Sequence, residues 1–173
     1  SRTKKVLFIK EKPKADEVEV PGWELLGTTP ERFGRVLSNI LDWKQSDDDT
    51  YKEFIELGKR VGAFQTFDIP IIDMADRGLI AQVLVDGVNV GVAPDGTLRL
   101  IESLCATLAM RSRSILLLEE PETGIHPGAL ISLLNVIDSY AHDRQFLISS
   151  HSPVLLGQVT PEELRIVYRR RRR

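Results

Sequence analysis

The pattern of apolar and polar positions predicts two amphipathic helices in the first third of the chain. Apolar side chains recur at helical spacing over residues 33–41 and again over residues 51–61. Thr29 offers an N-cap for the first helix, and Pro30 suits its first helical position. The acidic run at residues 47–49 is interpreted as a solvated linker between the helices, because three adjacent aspartates do not converge on one face.

Residues 67–92 favour β-strands over helices. Within this segment, Asp86 and Gly87 form the two-residue signal of a type I′ hairpin. The hairpin predicts strands at residues 79–85 and 88–92, paired in antiparallel fashion across the turn.

The second half of the chain alternates helices with short apolar strands. Residues 98–108 and 130–141 repeat apolar positions at helical spacing. Continuous apolar runs at residues 115–118 and 146–148 are typical of strands buried in a parallel sheet. Together with an apolar run at residues 6–9, this alternation predicts an α/β layered domain.

Composition is compatible with one domain and argues against a membrane protein. The chain has 173 residues, and no apolar stretch approaches the roughly 18 residues that a membrane-spanning helix needs. No signal peptide is visible either, so we expect a cytoplasmic protein. The single cysteine, Cys105, cannot form an internal disulfide and lies on the apolar side of a predicted helix, which favours a structural thiol.

The formal net charge is small but unevenly distributed. The value of −2 includes five arginines at residues 169–173. Removing these five from the 23 basic residues leaves 18 against 25 acidic residues, a balance of −7. A cationic tail on an acidic body can contact nucleic acid phosphates, whereas a solvated, frayed terminus is the simpler interpretation.

Two carboxylates follow directly after the apolar run at residues 115–118. Glu119 and Glu120 would emerge at the carboxyl end of a buried parallel strand, where open α/β sheets have their ligand site. There Glu119 can hold Mg²⁺ while Glu120 orients the water that attacks a γ-phosphate. The alternative is a core strand followed by a solvated acidic turn.

Two other positions have chemistry suited to phosphate. Asp95, Gly96 and Thr97 stand at the predicted start of a helix, where backbone N–H groups and the helix dipole favour an anion. In the purely structural interpretation, Asp95 is the N-cap of that helix. His151 follows the strand at residues 146–148 and can donate a hydrogen bond to a γ-phosphate oxygen.

The order of these features resembles the C-terminal half of an ABC-type ATPase, in the soluble AAA ATPase branch related to RecF, SMC and OLD-family proteins. The resemblance covers residues 92–157 and rests on four motifs. In chain order they are the signature loop at residues 94–97, the end of the Walker B strand at residues 118–120, the D-loop at residues 122–127 and the switch histidine His151.

The resemblance implies a layered P-loop NTPase-like sheet with flanking helices, present here as a partial domain. It implies ATP and Mg²⁺ as ligands, with Glu119 at the metal and Glu120 and His151 as catalytic residues. His126 would contact the opposite subunit of a dimer. The nucleotide-binding signature and D-loop residues would be Pro94, Asp95, Gly96, Thr97, Glu122, Thr123, Gly124 and His126.

A phosphate-binding P-loop is missing from the sequence. The motif needs G-x-x-x-x-G-K-[ST], and the nearest string, which contains Gly58 and Lys59, has Glu53 at the first glycine and Arg60 after the lysine. That string has helical spacing. We therefore expect this chain to be the second half of an ATPase, as a fragment or as the product of a split gene.

The resemblance implies an ATP-driven switch in which two subunits enclose nucleotide and a partner responds to their motion. Soluble members of this branch act on DNA or drive a nuclease effector, in DNA repair or phage defence. The alternatives are a metal-dependent hydrolase or nuclease and a non-catalytic scaffold. In the hydrolase, the ligands would be Glu119, Glu120, Glu122, His126 and His151.

Two further expectations concern organisation. Residues 1–66 are predicted to be an N-terminal strand and helical-lobe segment, and residues 67–173 the C-terminal ATPase subdomain. At a helix start, a bulky residue in place of Gly96 is expected to leave the monomer folded but to block ATP-dependent dimerisation.

Overall fold

The computed structural model describes residues 23–26, 30–74 and 78–167, with side chains for residues 34–72 and 81–167. Three predicted features lie outside the described residues: the strand at residues 6–9, the N-cap Thr29 and the arginine tail at residues 169–173. In the described part, no helix combines the length and the apolar character that crossing a lipid bilayer requires.

Two helices, α1 (Pro30–Ser46) and α2 (Asp48–Val61), form where the apolar spacing predicts them. The acidic run between them is not a linker. Asp47 is the N-cap of α2, and its carboxylate accepts hydrogen bonds from the Thr50 N–H at 3.1 Å and the Thr50 hydroxyl at 2.7 Å. These bonds lower the pKa of Asp47. The next two aspartates lie in the first turn, where the helix dipole favours negative charge.

Six short strands form two three-stranded sheets in the described residues, and five of these strands come from the β-rich segment. The strands are β1 (Trp23–Leu26), β2 (Phe67–Asp68), β3 (Ile71–Met74), β4 (Gly78–Gln82), β5 (Leu84–Val85) and β6 (Val88–Asn89). One sheet has the order β1-β4-β3, with β1 parallel to β4 and β3 antiparallel to it. The other sheet has the order β2-β5-β6 and is antiparallel throughout.

The hairpin between β5 and β6 confirms the predicted turn. Asp86 and Gly87 both have positive φ, +50° and +75°, as a type I′ turn requires. The flanking strands are shorter than predicted. The first is interrupted at Val83, and the second ends at Asn89, whose side chain accepts the Gly91 N–H at 2.9 Å and starts a 3₁₀ turn.

The second half follows the predicted alternation. Its elements are α3 (Asp95–Leu108), β7 (Ile115–Glu119), α4 (Pro127–Tyr140), β8 (Gln145–Ser149) and α5 (Pro153–Leu156). Strands β7 and β8 pair in parallel and form a third, two-stranded sheet. The described residues therefore form a mixed α/β fold with three small sheets, and one continuous layered sheet stays a prediction.

One buried cluster joins the four long helices to β8. It includes Leu37 of α1, Phe54 of α2, Leu104 of α3, Leu133 of α4 and Phe146 of β8, all with at most 1% of their surface exposed. Because α1 and α2 share this core with α3 and α4, they support the elements that carry the candidate site. The division of the chain at residue 66 stays a prediction.

Candidate functional site

The candidate site lies at the edge where β7 and β8 end. Glu119 of β7 pairs with Ser149 of β8, and each is the last residue of its strand. Because the strands are parallel, both carboxyl ends face the same edge, as open α/β sheets require for a ligand site. The segments that follow them, which contain Glu120 and His151, emerge together there.

Glu120 leaves the strand in an unusual backbone conformation. Its φ is +42°, in the left-handed region that residues other than glycine seldom adopt. Its N–H still donates to the Ser149 carbonyl at 3.0 Å, and its own carbonyl accepts the Thr123 N–H at 3.0 Å. Such backbone costs about 1–3 kcal/mol and clusters at functional sites. The two hydrogen bonds hold Glu120 in it.

The Glu120 carboxylate lies beside the imidazole of His151. Glu120 Oε1 is 3.6 Å from His151 Nε2, an ion pair when the ring is protonated. The His151 side chain is 91% exposed and that of Glu120 45% exposed, so both are open to a ligand from solvent. The structure thus brings together the two residues that the sequence predicts as catalytic.

Glu119 is exposed at the end of β7 and suits a weakly held metal. Mg²⁺ is usually bound through one or two carboxylates, with water and substrate phosphates completing its shell. A single exposed carboxylate at a strand end fits that requirement. In the described part of the chain, no group of three or more His, Cys, Asp or Glu side chains converges to form a metal cage.

Two side chains of the turn after β7 make hydrogen bonds to other groups of this chain. Glu122 Oε1 accepts hydrogen bonds from the Ser150 hydroxyl and, at 3.1 Å, from the His151 N–H. His126 is the N-cap of α4, and its Nδ1 accepts the Gly128 N–H at 3.1 Å. Thr123 is exposed. The sequence reasoning missed both the role of Ser150 and the cap at His126. The cap at His126 had a local sequence signal, because a proline at the first helical position marks the residue before it as the N-cap.

The first turn of α3 rests against the same turn. Pro94 occupies the N-cap position and α3 begins at Asp95, so the interpretation of Asp95 as the N-cap is wrong. A Cβ atom on Gly96 would lie 2.1 Å from the Gly124 carbonyl oxygen, which only glycine can tolerate. Gly124 itself has φ of +75°. Residues 94–97 and residues 122–127 are therefore in direct backbone contact.

Thr97 and Cys105 lie further along α3. Thr97, the last predicted signature residue, is half-buried in the first turn of the helix.

Cys105 is 1% exposed, and burial raises the pKa of its thiol well above the ordinary value. A buried, protonated thiol is unreactive, which confirms the prediction of a structural cysteine.

The segment that contains the candidate site matches the model of a known protein family. The family described as "AAA domain, putative AbiEii toxin, Type IV TA system" matches residues 86–157, which is less than half of the chain. The match includes every predicted site residue. No curated protein matches the chain. The segment that carries the candidate site is therefore similar to an AAA, P-loop ATPase-like domain.

Proposed function

We propose that this chain is the C-terminal half of an ATP-binding and ATP-hydrolysing domain of the ABC type. The observation that carries the proposal is the 3.6 Å approach of Glu120 to His151 at the common edge of two parallel strands. A carboxylate and an imidazole at that edge can serve as the base for an attacking water and as a donor to the γ-phosphate. The match to an ATPase-type family supports the same chemistry.

Glu119 would hold Mg²⁺ from the exposed end of β7. When bound, the metal neutralises charge on the phosphates of ATP. Glu120 would hold and deprotonate water, and the exposed His151 ring would donate to the phosphate. Glu119 is still the last residue of β7, whereas Glu120 has left the extended backbone of the strand, with φ of +42°.

The metal-dependent hydrolase is the weaker alternative on geometric grounds. Two of its five proposed ligands are engaged elsewhere, since Glu122 binds the segment after β8 and His126 caps α4. That leaves Glu119, Glu120 and His151, and within the described residues these do not form a three-ligand group. An ATPase needs no such cage at this edge.

The proposed site lacks a cation for phosphate binding. Residues 94–97, 119–126 and 149–152 contain no lysine or arginine. P-loop NTPases bind the β- and γ-phosphates with backbone N–H groups and a lysine. We propose that a P-loop half, encoded upstream or separately, supplies these groups.

ATP would then join two such subunits through the signature segment, and the motion would drive a nuclease or other effector. Contact with nucleic acid remains part of the proposal.

The 173-residue chain alone is predicted to bind MgATP weakly and to show no ATP turnover. The physical reason is the missing lysine and P-loop backbone. Calorimetric titration with MgATP and a phosphate-release assay measure both properties. This chain combined with the P-loop half is the matched comparison, and we expect turnover there.

Three outcomes would contradict this prediction or the proposed function. A low-micromolar MgATP site on the chain alone would mean that the P-loop half is dispensable. Stoichiometric Mn²⁺ binding with nuclease activity in the absence of nucleotide would favour the hydrolase instead. Absent ATP turnover when the P-loop half is also present would favour a non-catalytic scaffold.

A further inference from the structure

One carboxylate holds the segment that carries His151. Glu122 belongs to the turn after β7, yet its Oε1 accepts hydrogen bonds from the Ser150 hydroxyl and from the His151 N–H at 3.1 Å. Ser150 Oγ in turn accepts the Ser152 N–H at 2.9 Å. Three successive residues after β8 are therefore tied, directly or through Ser150, to a single side chain from the neighbouring strand's turn.

The His151 ring has little else to fix its position. Its side chain is 91% exposed, and its approach to Glu120 at 3.6 Å is between exposed groups, which contributes little on its own. An exposed side chain is located mainly by its backbone. In the described part of the chain, the bond from the His151 N–H to Glu122 is the hydrogen bond that restrains the backbone of this residue.

Glu122 is poorly placed to contact nucleotide. Its Oε1 already accepts two hydrogen bonds, and its Oε2 is buried, with no hydrogen-bond partner in the described part of the chain. The prediction that Glu122 binds nucleotide directly does not fit this arrangement.

We propose that Glu122 is a positioning residue, which holds Ser150 and the backbone of His151 so that the imidazole stays beside Glu120. The catalytic part of this proposal rests on the proposed ATPase function. The hydrogen bonds from which it is argued lie within this chain and do not depend on that function. Glu122 links the turn that follows the carboxylate pair to the segment that carries the histidine.

The first test uses the chain itself and measures hydrogen exchange at the His151 backbone N–H. Glu122→Ala is expected to speed exchange about tenfold, the loss that corresponds to about one hydrogen bond. Glu122→Gln keeps an acceptor oxygen and should restore much of the protection. Ser150→Ala leaves the Glu122 bond to His151 in place, so it should have a smaller effect.

Glu163→Ala is the matched control. Glu163 also accepts a backbone N–H, from Thr160 at 3.0 Å, and is also half-buried, but it lies after α5. The Glu163→Ala substitution should leave hydrogen exchange at the His151 backbone N–H unchanged. Unchanged exchange in Glu122→Ala would overturn the proposal whether or not the protein is an ATPase. General acceleration across β7 and β8 in that variant would indicate a role in folding only and would also overturn it.

The second test compares ATP turnover and ATP affinity in the complete protein. If Glu122 acts through His151, Glu122→Ala should lower kcat about tenfold with little change in ATP affinity. The double variant Glu122→Ala/His151→Ala should then turn over ATP within about twofold of His151→Ala, since residues that act as a unit are not additive. Multiplicative losses would overturn the positioning role. Absent turnover in the unsubstituted protein would instead contradict the proposed ATPase function, leaving the exchange test to decide the proposal.

Discussion

Glu120→Gln in the complete protein is expected to slow ATP turnover by about 10² or more while ATP binding persists. Glutamine keeps the shape and hydrogen-bonding capacity of the side chain but cannot take a proton from water. The substitution leaves the left-handed backbone at φ +42° occupied by a residue of the same size. ATP should then trap the dimer, which light scattering detects, while phosphate release measures the lost turnover.

Glu119→Gln is the comparison that separates the two carboxylates. It should weaken ATP binding and raise the Mg²⁺ requirement together, because the exposed Glu119 is the proposed metal ligand. Glu162→Gln, at an exposed position after α5, serves as the control for charge loss alone. Near-normal turnover in Glu120→Gln, or equal loss of ATP affinity in both variants, would contradict the assignment and favour a core strand with an acidic turn.

Gly96→Ala is expected to destabilise the chain by about 1–3 kcal/mol, because an added Cβ would lie 2.1 Å from the Gly124 carbonyl oxygen and 3.0 Å from the Gly124 carbonyl carbon. These are backbone atoms, so the clash is not relieved by a side-chain rotation. Either the start of α3 or the turn after β7 must move. Urea denaturation, followed by circular dichroism, measures the change in the free energy of unfolding.

Gly128→Ala is a closely matched control. Gly128 is the second residue of α4 as Gly96 is of α3, but its added Cβ would come no closer than 3.4 Å, to the side chain of His126. It should be neutral or stabilise by up to about 1 kcal/mol, since alanine restricts the unfolded chain. Equal effects of the two substitutions would contradict the close contact at Gly96.

This contact corrects the expectation that a larger residue at Gly96 would leave the monomer undisturbed. A helix start tolerates substitution when it faces solvent, but Gly96 faces the backbone of the turn after β7. Loss of ATP-dependent dimerisation in a Gly96 variant would therefore not prove a subunit interface. Asp95 is the better position for that test, because it is exposed at the first residue of α3.

The sequence by itself determined the kind and order of the elements around the site. Helical spacing predicted α1 to α4, and the apolar runs predicted β7 and β8, because each periodicity reports the burial of one element's own face. The turn at Asp86 and Gly87 was also predictable, since its positive φ values are a local preference of those two residues. The short strand β1 carried no comparable signal.

Only the tertiary structure decided how these elements meet. The hydrogen bonds of Glu122 reach Ser150 and His151 across 28 and 29 residues, and Gly96 contacts Gly124 across a helix and a strand. Periodicity records which face of an element is buried but not which element covers it. These contacts depend on the parallel pairing of β7 with β8 and on the packing of α3 beside them, which place distant residues within hydrogen-bonding or van der Waals distance.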